Sequence, residues 1–155
     1  MTPPRMLFTW LARAEVVTWT LLLIGMFLKY VTSTTDVAVS VFGLAHGVVF
    51  LSYVAVTLAI RVDQRWGARE AALALLAGVP PFATLWIERR VERRSLITEQ
   101  WRLGPRGEAP TTPMERLLAG ALVRPAAAVV VGATAVLAVT AALLVIGPPV
   151  GPTAS

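Results

Sequence analysis

Two long stretches without charged side chains limit what this chain can fold into. Val37 to Ile60 holds no Asp, Glu, Lys or Arg in 24 positions, and Pro125 to Ser155 holds none in 31. Hydrocarbon offers no water to the backbone, so an apolar stretch of ~20 residues there must satisfy its own amides by forming a helix. The pattern predicts an all-α fold, a polytopic transmembrane helical bundle.

The composition supports a lipid environment. Hydrophobic residues make up 56% of the 155 positions and charged residues 15%, whereas a soluble domain has roughly 25% charged residues. The net charge is +5, and the basic residues flank apolar blocks. We therefore expect contact with a bilayer that has anionic head groups, and no nucleic acid. The absence of cysteine excludes disulfides, thiolate nucleophiles and cysteine metal sites.

The apolar blocks predict four spans joined by polar segments. The first two are separated only by a tight turn at Thr32 to Asp36, which makes them antiparallel neighbours. The predicted spans are Phe8 to Tyr30, Val37 to Ile60, Ala71 to Ile87 and Ala126 to Ile146. The predicted organisation is a three-span membrane core over residues 1–95, a polar Arg-rich linker over 96–116, a C-terminal fourth span over 117–147 and a loose tail over 148–155.

The third apolar stretch is short and holds Pro80 and Pro81 near its middle. Two prolines remove helix hydrogen bonds, so the segment is predicted either to span as a kinked helix or to re-enter the membrane. With four spans, five basic residues fall on the side of the N-terminal segment and nine on the other, a poor margin for the positive-inside rule. A re-entrant segment removes the conflict, because every basic cluster except Lys29 then lies on one side.

The residues from Glu88 to Trp101 predict an amphipathic helix on the membrane surface. In this interpretation Ile87, Val91 and Trp101 face lipid, and the neighbouring arginines meet head groups.

A few ionisable residues fall within the apolar blocks. His46, the only histidine, is predicted to lie ~12 Å into the second span, and Glu15 lies toward the start of the first. Each needs a polar partner in hydrocarbon. Two interpretations stand: a packing network, or a working pocket for protons or a ligand. The candidate intramembrane polar network consists of Glu15, His46, Lys29, Arg13 and Tyr53.

Small residues predict close helix packing. Gly43 and Gly47 form a GxxxG motif within the second span, and Gly132 belongs to a small-residue pattern in the last. Such residues let helix backbones approach closely in membranes. A second copy of the chain or a partner membrane subunit is therefore a possible occupant of these faces.

Most catalytic motifs are missing from the sequence. It contains no Gly-rich phosphate loop, no HExxH, no G-x-S-x-G and no cluster of paired carboxylates. A single histidine without a second axial ligand is thin evidence for haem. We therefore expect no enzyme, no catalytic residue, no metal and no cofactor.

Several short motifs, in order and spacing, resemble a small bacterial integral membrane family. They are Arg13-Ala14-Glu15, Leu28-Lys29-Tyr30, Gly43 with His46-Gly47 and Tyr53, and Pro81-Phe82-Ala83-Thr84. The family is known only as domain of unknown function 3817, and the likeness covers about Met6 to Arg94. The resemblance implies a three-span core, frequent occurrence in actinobacteria, a plasma-membrane location and no known activity.

Taken together, these features favour an integral membrane protein with a non-catalytic packing, assembly or accessory role in the plasma membrane. The alternative is a small transporter or a proton-coupled permease component that uses Glu15 and His46 in the bundle interior.

Overall fold

A computed structural model describes residues 2–146 of the chain, and in that range every regular element is a helix. The helices are α1 (Pro4–Tyr30), α2 (Val37–Asp63), α3 (Ala68–Leu76), α4 (Ala83–Arg93), α5 (Pro113–Val123) and α6 (Pro125–Ile146). Three of them, α1, α2 and α6, are long and apolar enough to cross a membrane. The all-α membrane bundle is thus confirmed, with three such helices in the described range where four spans were predicted.

The first two helices form the antiparallel pair that the tight turn predicts. Each has 27 residues, or ~40 Å of length at 1.5 Å per residue. Their backbones approach each other closely at Gly25, where an added Cβ would lie 3.0 Å from the Cα and N of Val39. A larger side chain at Gly25 would therefore force the two helices apart at this point.

The third apolar segment is two short helices rather than one span. Helix α3 ends at Leu76 and α4 begins at Ala83, with Pro80 and Pro81 between them. Phe82 takes the left-handed conformation with φ of 67°, which reverses the chain direction. The kinked continuous helix is therefore not formed.

Contacts along α1 show that α4 returns toward the end from which α3 started. The Oγ1 of Thr84 donates to the carbonyl of Ala12 at 3.0 Å, and one turn later Glu88 pairs with Arg13 at 2.9 Å. Glu92 then pairs with Arg5 at 2.9 Å. From Thr84 to Glu92, the contacts of α4 move from Ala12 back to Arg5, toward the start of α1. Helices α3 and α4 therefore form a hairpin that enters and leaves the bundle at one end, as in the re-entrant alternative.

Side chains of α1 and α2 satisfy carbonyls near the hairpin tip. The Tyr53 hydroxyl donates to the carbonyl of Ala74 at 2.7 Å. The Trp19 indole donates to the carbonyl of Gly78 at 3.4 Å. A Cβ at Gly78 would lie 3.1 Å from the Phe50 ring, so the tip sits tightly against α2. Non-helical backbone at membrane depth is tolerated where protein buries it. Ala77 and Gly78 are buried in this way, whereas residues 79–82 of the turn are exposed.

The predicted surface helix over Glu88 to Trp101 differs from the structure. Helix α4 ends at Arg93. Ile87 and Val91 are buried in the protein core, with 2% and 5% of their surface exposed, so the prediction that they face lipid is wrong. They pack inward because α4 is the return arm of the hairpin and lies against α1.

The segment predicted as an Arg-rich linker is folded onto the end of α2, and its last residues belong to α5. Thr112 and Glu115 form a capping box that begins α5. Helix α6 begins at Pro125, whose fixed φ suits a first helical turn, and it packs beside α2. The predicted helix stop at Gly147-Pro148-Pro149 and the loose tail lie outside the described residues.

The hairpin makes a topology prediction that a cysteine-free chain can test directly. Thr34→Cys lies in the loop between α1 and α2, and Gln100→Cys lies beyond α4; both positions are exposed. We expect a membrane-impermeant maleimide on intact cells to label one variant and not the other. With the hairpin, only α2 crosses the membrane between the two positions, so they lie on opposite sides. Lysed cells should label both. Equal labelling of both variants in intact cells would instead mean that the third segment spans.

Candidate intramembrane site

One face of α1 carries a row of side chains that pack against α2 and the hairpin. Phe8, Ala12, Glu15 and Thr18 recur at spacings of three and four residues and are buried, as expected for one face of a helix. Glu15 has no exposed surface. A carboxyl group has therefore been placed inside the apolar bundle.

His46 reaches this carboxyl from α2. Its Nδ1 lies 3.4 Å from Glu15 Oε2 and 3.2 Å from Thr18 Oγ1. The Trp19 ring covers the imidazole at a centroid distance of 4.5 Å, and Phe50 lies on another side at 6.2 Å. Glu15 and His46, two members of the predicted network, are therefore in direct contact.

The pair is close, but its hydrogen bonding is incomplete. Neither oxygen of Glu15 has a hydrogen-bond donor among the described residues, and Thr18 uses its hydroxyl to contact the carbonyl of Glu15 as well. A buried carboxyl without a donor is costly as an anion. The arrangement can stabilise either a neutral acid beside a neutral imidazole or a carboxylate beside an imidazolium, so one proton can be held at either residue.

Two members of the predicted network lie elsewhere. Arg13 turns outward, with 67% of its side chain exposed, to pair with Glu88. Lys29 lies at the opposite end of α1, where it contacts Asp36 at 3.6 Å and the Tyr30 ring at 5.5 Å. Both long side chains reach polar partners at the ends of the bundle, so the network prediction is wrong for these two residues.

Tyr53 belongs to the same buried region but has a different partner. It is fully buried and packs on Phe8 at a ring distance of 5.7 Å. Its hydroxyl donates a hydrogen bond to the carbonyl of Ala74 in α3. Its hydrogen bond therefore joins α2 to the hairpin. In the described residues, no three His, Cys, Asp or Glu side chains come together as a metal site.

A family model described as "Domain of unknown function (DUF3817)" matches residues 6–93, which is more than half of the chain. This chain belongs to that family. The match confirms the resemblance read from the sequence motifs, and it takes in α1, α2 and the hairpin together with the Glu15–His46 pair.

One curated relative of the family domain is a Streptomyces coelicolor protein named "Putative membrane protein SCO5905". It is 45% identical over 82 residues, which cover 52% of this chain and 10% of that protein. The chain thus matches only a small part of the relative's length. No solved structure matches this chain.

The glycines named from the sequence are not the ones that bring the described helices together. A Cβ at Gly43 would meet only Leu22 at 3.7 Å, and one at Gly47 or Gly132 would meet no neighbouring element within 4 Å. The close approaches are at Gly25 and Gly78, which the sequence analysis missed. Neither lies in a GxxxG pattern, so only the structure distinguishes them.

A second polar cluster joins the end of α2 to residues beyond the family match and was not foreseen. Asp63, at the end of α2, accepts hydrogen bonds from the backbone N–H of Arg102 at 3.1 Å and of Leu103 at 2.9 Å. The Arg102 guanidinium in turn contacts Glu115 at 2.6 Å. Hydrogen bonds from the Thr111 backbone and hydroxyl, followed by the contact with Arg102, lower the pKa of Glu115 to about 2.

The Glu15–His46 contact predicts a coupled effect on stability. His46→Ala should lower the free energy of unfolding in detergent by about 1–3 kcal/mol, because it leaves a buried carboxyl without its nearest polar partner. Adding Glu15→Gln to His46→Ala should recover part of that loss. Phe50→Ala is the control, since it removes packing beside His46 without removing a charge partner. Additive losses for Glu15→Gln and His46→Ala would contradict the coupling.

The Glu115 cluster predicts a pH dependence. A folded-state pKa below the ordinary value of 4.5 means that the carboxylate stabilises this region above pH ~4.5, and that the stabilisation is lost as the pH falls toward ~2. Pepsin cleavage of residues 96–112 should therefore accelerate across this interval. Glu115→Gln should be cleaved rapidly throughout, and the ratio of its rate to the wild-type rate should rise as the pH rises, because only the wild type gains the stabilisation. A constant ratio would contradict the prediction.

Proposed function

We propose that this family member is a non-catalytic assembly or accessory subunit of the bacterial plasma membrane, built to pack against another membrane helix. The observation that carries the proposal is the open space at Gly47 and beside Gly43 on α2. Glycine inside a helix costs roughly 0.5–1 kcal/mol relative to alanine. Within the described chain these two glycines bring no backbone close enough to offset that cost, whereas a helix from another polypeptide would.

The bilayer makes this argument stronger than it would be in water. Lipid tails are as apolar as leucine, so helices associate in membranes through close backbone packing rather than through the hydrophobic effect. Leu44 and Val41 beside the glycines are exposed, and such side chains are stable against lipid. A glycine pair has no side chain to contact lipid, so contact with lipid does not stabilise it. The glycine face is therefore better explained by a partner helix.

The curated relative adds independent support. The matched segment forms a tenth of that membrane protein's length, so a closely similar segment occurs as a small part of a much longer chain. A module that is covalently joined to other segments in one protein can serve in another as a separate subunit.

The distribution of arginines supports a defined orientation of this subunit. With the hairpin, all 13 arginines belong to the end of the bundle that holds the N-terminal segment, and Lys29 alone belongs to the other. The positive-inside rule then favours a cytoplasmic location for the arginine-rich end. The five-to-nine conflict of the four-span arrangement does not arise.

The assembly role can be tested by filling the glycine face. Gly43→Ile together with Gly47→Ile should reduce cross-linked or co-purified partner at least tenfold, because the added side chains keep a second backbone away. The unfolding temperature of the purified chain should change little, since an added Cβ meets nothing within 4 Å at Gly47 and only the end of the flexible Leu22 side chain, at 3.7 Å, at Gly43. Gly120→Ile, in α5, is the matched control and should leave association intact. Unchanged association in the double variant would overturn the proposal.

A second candidate function is proton-coupled transport, and the 3.4 Å contact between Glu15 and His46 favours it. An acid and an imidazole that share a proton inside a membrane can form one step of a proton relay. Liposomes containing wild-type protein should then show proton or solute flux that falls at least tenfold in Glu15→Gln and in His46→Ala. Absence of flux, or flux that both variants retain, would exclude this candidate.

A further inference from the structure

We propose that the outer face of α4 is a binding site for the phosphodiester head group of an anionic phospholipid. This arginine face consists of Trp86, Arg89, Arg90, Arg93 and Arg94, which line a cleft of about 380 Å³. The proposal is independent of the assembly role, because it concerns a different helix and a different ligand.

The positive charge of the arginine face follows from how α4 distributes its own charges. Both acidic residues of α4 point toward α1, where Glu88 pairs with Arg13 and Glu92 with Arg5. Three arginines of α4, Arg89, Arg90 and Arg93, lie on the remaining surface together with Arg94, which directly follows the helix. Among the described residues, only Arg90 has a carboxylate within 4 Å, and that contact, with Glu70, is 3.9 Å long. The face therefore carries an excess of positive charge that no neighbouring element neutralises.

Arg90 gives the strongest indication that the arginine face binds a ligand. Only 16% of its side chain is exposed. Its Nε and Nη2 atoms are buried without a hydrogen-bond acceptor in the part of the chain that the structure describes. Leaving guanidinium donors unsatisfied is costly, and the Nε and Nη2 edge matches the two oxygens of a phosphate. Both atoms are closed off from water in this conformation, so a head-group phosphate in the cleft would reach them once the Arg90 side chain turned outward.

The position of the arginine face favours a lipid over a free anion. Trp86 is 54% exposed and lies one turn closer to the hairpin tip than Arg90. The guanidinium carbon of Arg90 lies 5.8 Å from the centroid of the Trp86 ring. Exposed tryptophan next to arginine is typical of the membrane interface. An anionic phospholipid would place its phosphate among the arginines and its acyl chains along Trp86, so one molecule matches both halves of the site.

The test compares variants that remove equal charge from different places. Wild-type protein is reconstituted in nanodiscs of phosphatidylglycerol and phosphatidylcholine, released into mild detergent and analysed for retained lipid by native mass spectrometry. Arg90→Gln with Arg94→Gln should reduce retained phosphatidylglycerol at least tenfold, because each basic residue near an anionic head group contributes about a factor of five. Arg106→Gln with Arg116→Gln removes the same charge elsewhere and should retain lipid like the wild type.

Further arms separate the proposal from simpler explanations. Arg89→Gln with Arg93→Gln changes only exposed side chains of the same face, so its loss of lipid cannot be attributed to misfolding around Arg90. Arg90→Lys with Arg94→Lys keeps the charge but loses the paired donors and should give an intermediate result. Equal losses in the face and control variants would mean general charge attraction and would overturn the proposal. So would displacement of the lipid by excess inorganic phosphate, because a free anion would then suffice.

Discussion

The structure depends on how it satisfies backbone carbonyls where a helix breaks inside an apolar bundle. Between Leu76 and Ala83 the chain cannot continue as a helix, and its free carbonyls would be costly in hydrocarbon. Trp19 and Tyr53 donate to carbonyls of the hairpin, and Thr84 donates from the hairpin to α1. These three hydrogen bonds join different elements, so they hold the hairpin against both α1 and α2.

The same packing determines which partners the charged groups of α1 and α4 have. Glu88 and Glu92 neutralise arginines of α1, whereas Glu15 is fully buried and has only His46 within ion-pair distance. Burying an acid usually costs more than its partner returns, so this pair is a poor device for stability alone. Of the two proposed functions, only proton-coupled transport assigns this contact a role.

The sequence predicted the long elements well because their signals are local. Uncharged length located α2 and α6, and the turn at Thr32 to Asp36 made α1 and α2 antiparallel. The choice between a kinked span and a hairpin was left open, because it depends on hydrogen bonds from Trp19 and Tyr53 that no local pattern reveals. The partners of Arg13 and Lys29 were missed for a similar reason, since long side chains reach whatever polar group lies at the bundle end. Gly25 and Gly78 resemble any other membrane glycine until their neighbours are known.

The re-entrant course of α3 and α4 also affects how such a protein can be inserted into a bilayer. With the arginine-rich end in the cytoplasm, as proposed above, the region from Arg89 to Arg124 never has to be translocated, because the hairpin enters and leaves at one end. Between α1 and α6, only the short loop around Ser33 must be carried across by the insertion machinery. The desolvation barrier to biogenesis is then limited to a few neutral hydroxyl side chains, Lys29 and Asp36, and no guanidinium group has to cross the hydrocarbon.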